Sequence, residues 1–162
     1  MANKGLRPTS RVLHAAVRAA DAETAVRLSV PLGDEIVVLT RLRMANEKPI
    51  AIETAHLRHA LCPGILAGHD FASESLYQVL QGQYGVRLVW ARQVIAARIP
   101  DTSEQKTLGL RARIPVLSLV RVPFDEHDQP IEYVRSCYHG ERYQLHTVLR
   151  DLGQPAADEE KR

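Results

Sequence analysis

The sequence has few of the features that mark secreted or membrane proteins. Its 162 residues include only two cysteines, Cys62 and Cys137. A secreted disulfide framework needs more cysteines in a shorter chain, so we expect two reduced thiols. The longest aliphatic run, residues 36–39, is far below the ~20 residues that cross a bilayer. No apolar stretch follows Met1, so no signal peptide is visible. These shortages predict a cytoplasmic protein with no membrane segment.

An excess of charge of one sign is also missing. The chain has 21 basic and 19 acidic residues, a net charge of +2. Nucleic-acid modules that neutralise phosphates usually carry a larger basic excess, so the composition gives no support for DNA binding. The chain is 45% hydrophobic and 25% charged, which is ordinary for a globular protein. A chain of this length forms one domain whose core needs no disulfide or metal.

Local patterns predict alternating strands and helices. Strands are expected where apolar and polar residues alternate, and helices where a cap residue precedes helical spacing. The predicted strands cover residues 11–20, 35–44, 50–59, 86–99, 116–124, 131–139 and 142–149. The predicted helices cover residues 22–29, 75–84 and 102–110. Residues 1–9 are predicted as a linker, 10–150 as the domain and 151–162 as a flexible tail.

This order of elements contains an internal repeat. Asp21 and Asp101 are N-cap candidates 80 residues apart, and Arg41 and Arg121 have the same separation. Two copies of strand–helix–hairpin therefore follow one another. Adjacent hairpins favour an antiparallel sheet with helices packed on it, so we predict an α+β fold with a pseudo-twofold axis. Ligand sites often lie between such halves.

Charged side chains on the predicted strands are the candidate chemistry. Arg41 and Arg43 are two residues apart and share a face, and Glu53 lies on the paired strand. Two guanidinium groups on one face suit a phosphate or a carboxylate. Glu132 and Arg135 lie on the equivalent strand of the second half, on opposite faces if that strand is regular. The alternative is a solvated face with cross-strand salt bridges.

Other polar groups are less informative. Ser73 and Ser75 precede a predicted helix, where hydroxyl groups either cap the helix or help to hold an anion. His56 and His59 point in opposite directions on a strand, and no third ligand is evident, so no metal is predicted. The sequence has no phosphate loop, nucleophile elbow or dinucleotide fingerprint, and no cofactor is predicted.

Several short motifs follow a familiar order along the chain. They are Gly5-Leu6-Arg7-Pro8-Thr9-Ser10-Arg11-Val12-Leu13, Arg41-Leu42-Arg43, Pro49-Ile50-Ala51-Ile52-Glu53-Thr54, Leu61-Cys62-Pro63-Gly64, Ser75-Leu76-Tyr77, Tyr84-Gly85 and Pro130-Ile131-Glu132-Tyr133-Val134-Arg135-Ser136. This set resembles the UTRA domain, the effector-binding domain of GntR-type transcription regulators of the HutC subfamily. The resemblance covers about Arg7 to Leu149.

The resemblance implies a chorismate lyase-like fold, a homodimer and a small-molecule site. It implies that Arg41, Arg43 and Ser75 hold an anionic group, often a sugar phosphate, with help from the main chain near Ser10. The other ligand-binding residues predicted in this way are Glu53, Tyr77, Glu132, Tyr133 and Tyr138, and the charge pattern of the second hairpin adds Arg135 to the predicted ligand-binding residues.

The function implied is that of a ligand-sensing regulator domain rather than an enzyme. Full-length members carry an N-terminal winged helix-turn-helix domain, and none precedes Gly5 here. We therefore expect DNA binding only through a domain outside this chain. Two alternatives remain: an enzyme of the chorismate lyase type, since a shared fold does not fix function, and a dimerisation module whose site binds nothing.

Overall fold

Six strands form one antiparallel sheet in the order β1-β2-β3-β6-β5-β4. The computed structural model describes residues 8–111 and 114–147. The strands are β1 Pro8–Ala19, β2 Glu35–Ala45, β3 Lys48–Arg58, β4 Trp90–Arg98, β5 Val116–Phe124 and β6 Glu132–His139. The helices are α1 Ala22–Leu28, α2 Leu76–Tyr84 and α3 Thr102–Leu108, with a 3-10 turn over His59–Leu61. The α+β prediction is confirmed.

The sheet order also confirms the internal repeat. β1, α1, β2 and β3 form one half, and β4, α3, β5 and β6 form the other. The halves meet where β3 pairs with β6, and Thr54 lies opposite Arg135 near the pseudo-twofold axis. Asp21 caps α1 by accepting from the Thr24 N–H, and Asp101 forms a capping box with Glu104 in α3. Within residues 8–111 and 114–147, helix α2 has no counterpart in the second half.

The two faces of the sheet are covered differently. Helix α2 and its flanking loops pack on one face, where Leu39 and Leu57 belong to the same buried cluster as Leu80. Helices α1 and α3 pack on the other face, where Leu28 and Leu108 are both fully buried. We call these the α2 face and the α1/α3 face. Successive strand residues point to opposite faces, so alternate residues of one strand lie on the α2 face and the residues between them lie on the α1/α3 face.

Two predicted strands differ from the structure. β4 begins at Trp90 rather than at residue 86, because the Val86 N–H donates to the Leu80 carbonyl and its side chain is buried beneath α2. A second strand was predicted over residues 142–149. The structure has no strand over residues 142–147, so the prediction is wrong for this part. There the Arg142 and Tyr143 N–H groups donate to the His139 carbonyl and close a turn. Residues 148 and 149 lie outside the described part.

The ends of the predicted domain are only partly described. β1 begins at Pro8, which pairs with Ala45, so residues 8 and 9 of the predicted linker belong to the sheet. Residues 1–7 and the predicted tail, 151–162, lie outside the described part. Among the described residues no helix is long and apolar enough to cross a membrane. Cys62 and Cys137 are buried free thiols.

Candidate functional site

A cavity of about 280 Å³ lies on the α2 face, between the sheet and the start of α2. It reaches across β1, β2, β3, β6 and β5. Its lining is Thr9, Ser10, Arg41, Arg43, Glu53, Ala72, Ser73, Glu74, Ser75, Leu76, Tyr77, Arg121, Glu132 and Val134. Three of these residues are arginines, and we call it the arginine cavity. Its size suits a small metabolite.

The most deeply buried of the three arginines is Arg41. The tight turn at Asn46 and Glu47, both with positive φ, and a one-residue register shift between Arg43 and Met44 together place Arg41 opposite Glu53. The Arg41 Nη2 donates to Glu53 Oε1 at 2.5 Å, and Arg41 is only 5% exposed. Its Nε is buried and has no hydrogen-bond partner among the described residues. Glu53 offsets the buried charge, while the Nε–H leaves donor capacity unused.

The β1 end of the cavity combines a second arginine with hydroxyl groups. Arg43 follows Arg41 by two residues on the same face and is half-buried, and Ser10 lies opposite it on β1. Ser75 is the N-cap of α2, and its Oγ accepts from the Gln78 N–H at 3.5 Å. Guanidinium groups beside a helix N-terminus make a favourable environment for an anion.

The loop before α2 forms one wall of the cavity and is held by its own side chains. Asp70 accepts hydrogen bonds from the Ala72 N–H at 3.0 Å and from the Ser73 hydroxyl at 2.9 Å. The Asp70 N–H donates to Glu74 Oε2 at 2.6 Å, and His69 contacts both Glu74 and Gln83. This network holds the wall through contacts within the loop and with Gln83 of α2.

The opposite end of the cavity is a connected group of three side chains. The Tyr77 hydroxyl donates to Glu132 Oε2 at 2.7 Å and accepts from Arg121 Nη2 at 3.1 Å. Glu132 is 2% exposed. Burial raises the pKa of Glu132 to about 7, and repulsion from Glu53 adds to this rise while the Tyr77 hydrogen bond opposes it. Burial also raises the pKa of Tyr77 well above its usual range.

The structure brings seven of the ten predicted site residues to the arginine cavity. They are Ser10, Arg41, Arg43, Glu53, Ser75, Tyr77 and Glu132. It does not bring Tyr133, Arg135 or Tyr138 there. Tyr138 lies on the α2 face beyond the cavity lining and stacks on Tyr143, with ring centroids 3.9 Å apart.

Tyr133 and Arg135 lie on the α1/α3 face because they alternate with Glu132 and Val134 along β6. The Tyr133 hydroxyl donates to Glu23 Oε1 of α1 at 2.7 Å, so this side chain holds a helix. Arg135 is exposed and lines a separate cavity of about 240 Å³ behind the arginine cavity.

Arg121 is a cavity residue that was not predicted. It lies on β5, and the internal repeat relates it to Arg41, so the repeat was the signal that could have found it. Of the loop residues 72–74, Ser73 is marked in the sequence by its hydroxyl group before a helix, whereas no local pattern marks Ala72 or Glu74. In the described ranges no cluster of three or more His, Cys, Asp or Glu side chains is placed to hold a metal ion.

The six-stranded antiparallel sheet and its three helices define the chorismate lyase-like fold class. The model of the UTRA domain matches residues 3–144, and the chain belongs to that family.

Sequence relatives and solved structures agree with this membership. The chain is 29% identical to the HTH-type transcriptional repressor NagR of Bacillus subtilis, over 88% of this chain and 58% of that protein. It is 31% identical to the repressor PhnF of Mycolicibacterium smegmatis, over 80% of this chain and 52% of that protein. The crystal structure of the effector domain of PhnF superposes with a TM-score of 0.85 at 28% identity, covering 91% of this chain and 90% of that domain. The chain thus spans about half the length of the curated relatives it matches.

Proposed function

We propose that this chain is the effector-binding and dimerisation domain of a GntR-type transcription regulator of the HutC subfamily. It senses an anionic metabolite, a sugar phosphate or a carboxylate, and thereby modulates DNA binding by an attached winged helix-turn-helix domain. It works in the cytoplasm as a homodimer, without a cofactor and without catalysing a reaction. Two observations support this proposal. The relatives are named transcriptional repressors, and the chain spans about half of their length. A ligand shifts such a regulator only by binding its two states with different affinity.

The observation that carries the proposal is the state of Arg41. This guanidinium is nearly fully buried in a cavity, and its Nε–H has no described partner. The buried guanidinium group has more donors than its one bond to Glu53 uses. An anion bound between Arg41 and Arg43 would accept charge-assisted hydrogen bonds from both guanidinium groups. Ser10 and Ser75 border the same space, and Glu53, Tyr77 and Glu132 contact the rest of the ligand.

The experiment is a thermal-shift screen of this chain with paired ligands. The panel contains glucose 6-phosphate with glucose, glucosamine 6-phosphate with glucosamine, and urocanate with imidazole, together with a phosphonate and chorismate. A ligand present at 100 times its Kd stabilises the fold by about 2.7 kcal/mol. We expect stabilisation by an anionic compound and none by its counterpart without the acidic group. Equal stabilisation by both members of every pair contradicts the proposal.

A matched pair of variants ties the binding to the site. Arg43→Ala removes a guanidinium from the cavity, whereas Arg135→Ala removes one from the opposite face. We expect Arg43→Ala to weaken binding of the best anion by about 10- to 100-fold and Arg135→Ala by less than about twofold. Equal losses in the two variants contradict this location. Release of 4-hydroxybenzoate from chorismate contradicts the non-enzymatic role.

A further inference from the structure

We propose that Arg121 forms a second anion subsite in the arginine cavity, so that the preferred ligand carries two separate acidic groups. The inference rests on the proposed function, because it takes the first acidic group to lie at Arg41 and Arg43. It adds the chemical class of the ligand, a compact molecule with a phosphate or carboxylate at each end.

The first support is the position of Arg121. The internal repeat makes it the counterpart of Arg41, and the two residues lie on β5 and β2, on either side of the central pair of strands. Three inter-strand spacings of about 4.8 Å separate these strands, about 14 Å across the sheet. Both side chains line the same cavity. The first half of the fold therefore contributes Arg41 and Arg43, and the second half contributes Arg121 from the opposite side.

The second support is the incomplete bonding of Arg121. Its Nε is buried and, like that of Arg41, has no hydrogen-bond partner among the described residues. Its Nη2 donates to the Tyr77 hydroxyl at 3.1 Å, and its Cζ lies 5.9 Å from the Tyr77 ring centroid. Arg41 has the Glu53 carboxylate, but no described carboxylate lies within ion-pair distance of Arg121. An acidic group of a ligand would supply the missing partner.

Glu132 does not serve as that partner. The Tyr77 hydroxyl stands between the two groups, because it donates to Glu132 and accepts from Arg121. Tyr77 therefore separates a buried carboxyl group from a guanidinium group, and the guanidinium group remains available to a ligand. Glu53 and Tyr77 lie between the two arginine ends and suit hydroxyl groups in the middle of the ligand.

Isothermal titration of the chain with two related probes tests this inference. Glucose 6-phosphate carries one acidic group, and 6-phosphogluconate carries a carboxylate in addition. We expect 6-phosphogluconate to bind at least about tenfold more tightly, as for one added charge-assisted contact. In Arg121→Gln, which keeps a donor for Tyr77, this preference is lost while glucose 6-phosphate binds within about twofold of its original affinity. Arg135→Gln is the matched control and keeps the preference.

The outcomes separate the two proposals. Equal affinity for both probes in the unchanged chain, with binding lost in Arg43→Ala, overturns the second subsite and leaves the proposed function standing. An equal loss for both probes in Arg121→Gln also overturns the subsite, because it assigns Arg121 a structural role. Binding of neither probe counts against both proposals.

A second measurement follows ligand binding in the unchanged chain and needs the variant only to assign one resonance. The Arg121 Nε–H resonance, assigned by its absence from Arg121→Gln, should shift when 6-phosphogluconate is added and stay in place with glucose 6-phosphate. Identical responses to the two probes contradict the second subsite.

Discussion

The two faces of the sheet use charged residues for different purposes. On the α1/α3 face polar groups hold helices: Tyr133 bonds Glu23 of α1, and Arg98 pairs with Glu104 of α3. On the α2 face Arg41 and its neighbours surround a cavity and leave donors without described partners. The paired side chains of the α1/α3 face thus tie helices to the sheet, whereas the arginines of the α2 face line a cavity.

The largest effect is expected for Arg41→Ala. The variant removes the most buried guanidinium of the cavity and leaves Glu53 without its partner. We expect the free energy of unfolding to fall by about 3 kcal/mol and the affinity for the best anion to fall by more than about 100-fold. Urea unfolding and calorimetric titration measure the two quantities. The double variant Arg41→Ala/Glu53→Ala should regain part of the lost stability, whereas its affinity for the anion should stay low. Recovery of both would show that Arg41 serves only to pair with Glu53.

A pH-dependent change in the free energy of unfolding, similar in size to the loss expected for Arg41→Ala, is expected from Glu132 on the same face. Burial raises the pKa of Glu132 to about 7, so the folded state holds this proton more tightly than the unfolded state does. The resulting stabilisation is complete below about pH 4.5 and is lost as the pH rises through 7. Relative to Glu132→Gln, the original chain should lose on the order of 3 kcal/mol over this range. Urea unfolding at several pH values measures it, and parallel curves for the two proteins would contradict the assignment.

A smaller effect, on stability alone, is expected for Tyr133→Phe on the α1/α3 face. The variant loses the hydrogen bond to Glu23 and keeps the ring that stacks on His56. We expect the free energy of unfolding to fall by about 1–2 kcal/mol and the affinity for glucose 6-phosphate or the best anion to stay unchanged. A weakened affinity would mean that the two faces are not independent.

The smallest effect is expected for Arg135→Ala. This side chain is exposed, and none of its hydrogen bonds or ion pairs appears among the described contacts. We expect a change in stability within about 0.5 kcal/mol and an affinity for the best anion within about twofold of the original. A loss of affinity as large as that in Arg43→Ala would remove the distinction between the faces.

The sequence predicted the architecture well because its signals are local. Asp21 and Asp101 mark the starts of two helices, alternation marks the strands, and the 80-residue repeat gives the symmetry that the sheet order confirms. The prediction was wrong where tertiary contacts override alternation. Val86 continues an apolar pattern but packs beneath α2, and the chain after His139 turns instead of forming a strand.

The site was predicted less completely than the fold. Spacing on β2 and β3 was enough to bring Arg41, Arg43 and Glu53 together. The resemblance added Tyr133, and the charge pattern of the second hairpin added Arg135. The alternation of β6 places both on the opposite face from Glu132. The loop residues 72–74 follow no periodic pattern, and they reach the cavity only because Asp70 folds the loop against α2.

The most direct test of the proposed site is a crystal structure of the chain with glucosamine 6-phosphate, or with whichever anion stabilises it most. Two cavities of similar volume lie back to back on the two faces, each with arginine in its lining. We predict that the acidic group lies within hydrogen-bond distance of the Arg41 and Arg43 guanidinium groups, near Ser75. An acidic group beside Arg135, on the α1/α3 face, would contradict the account.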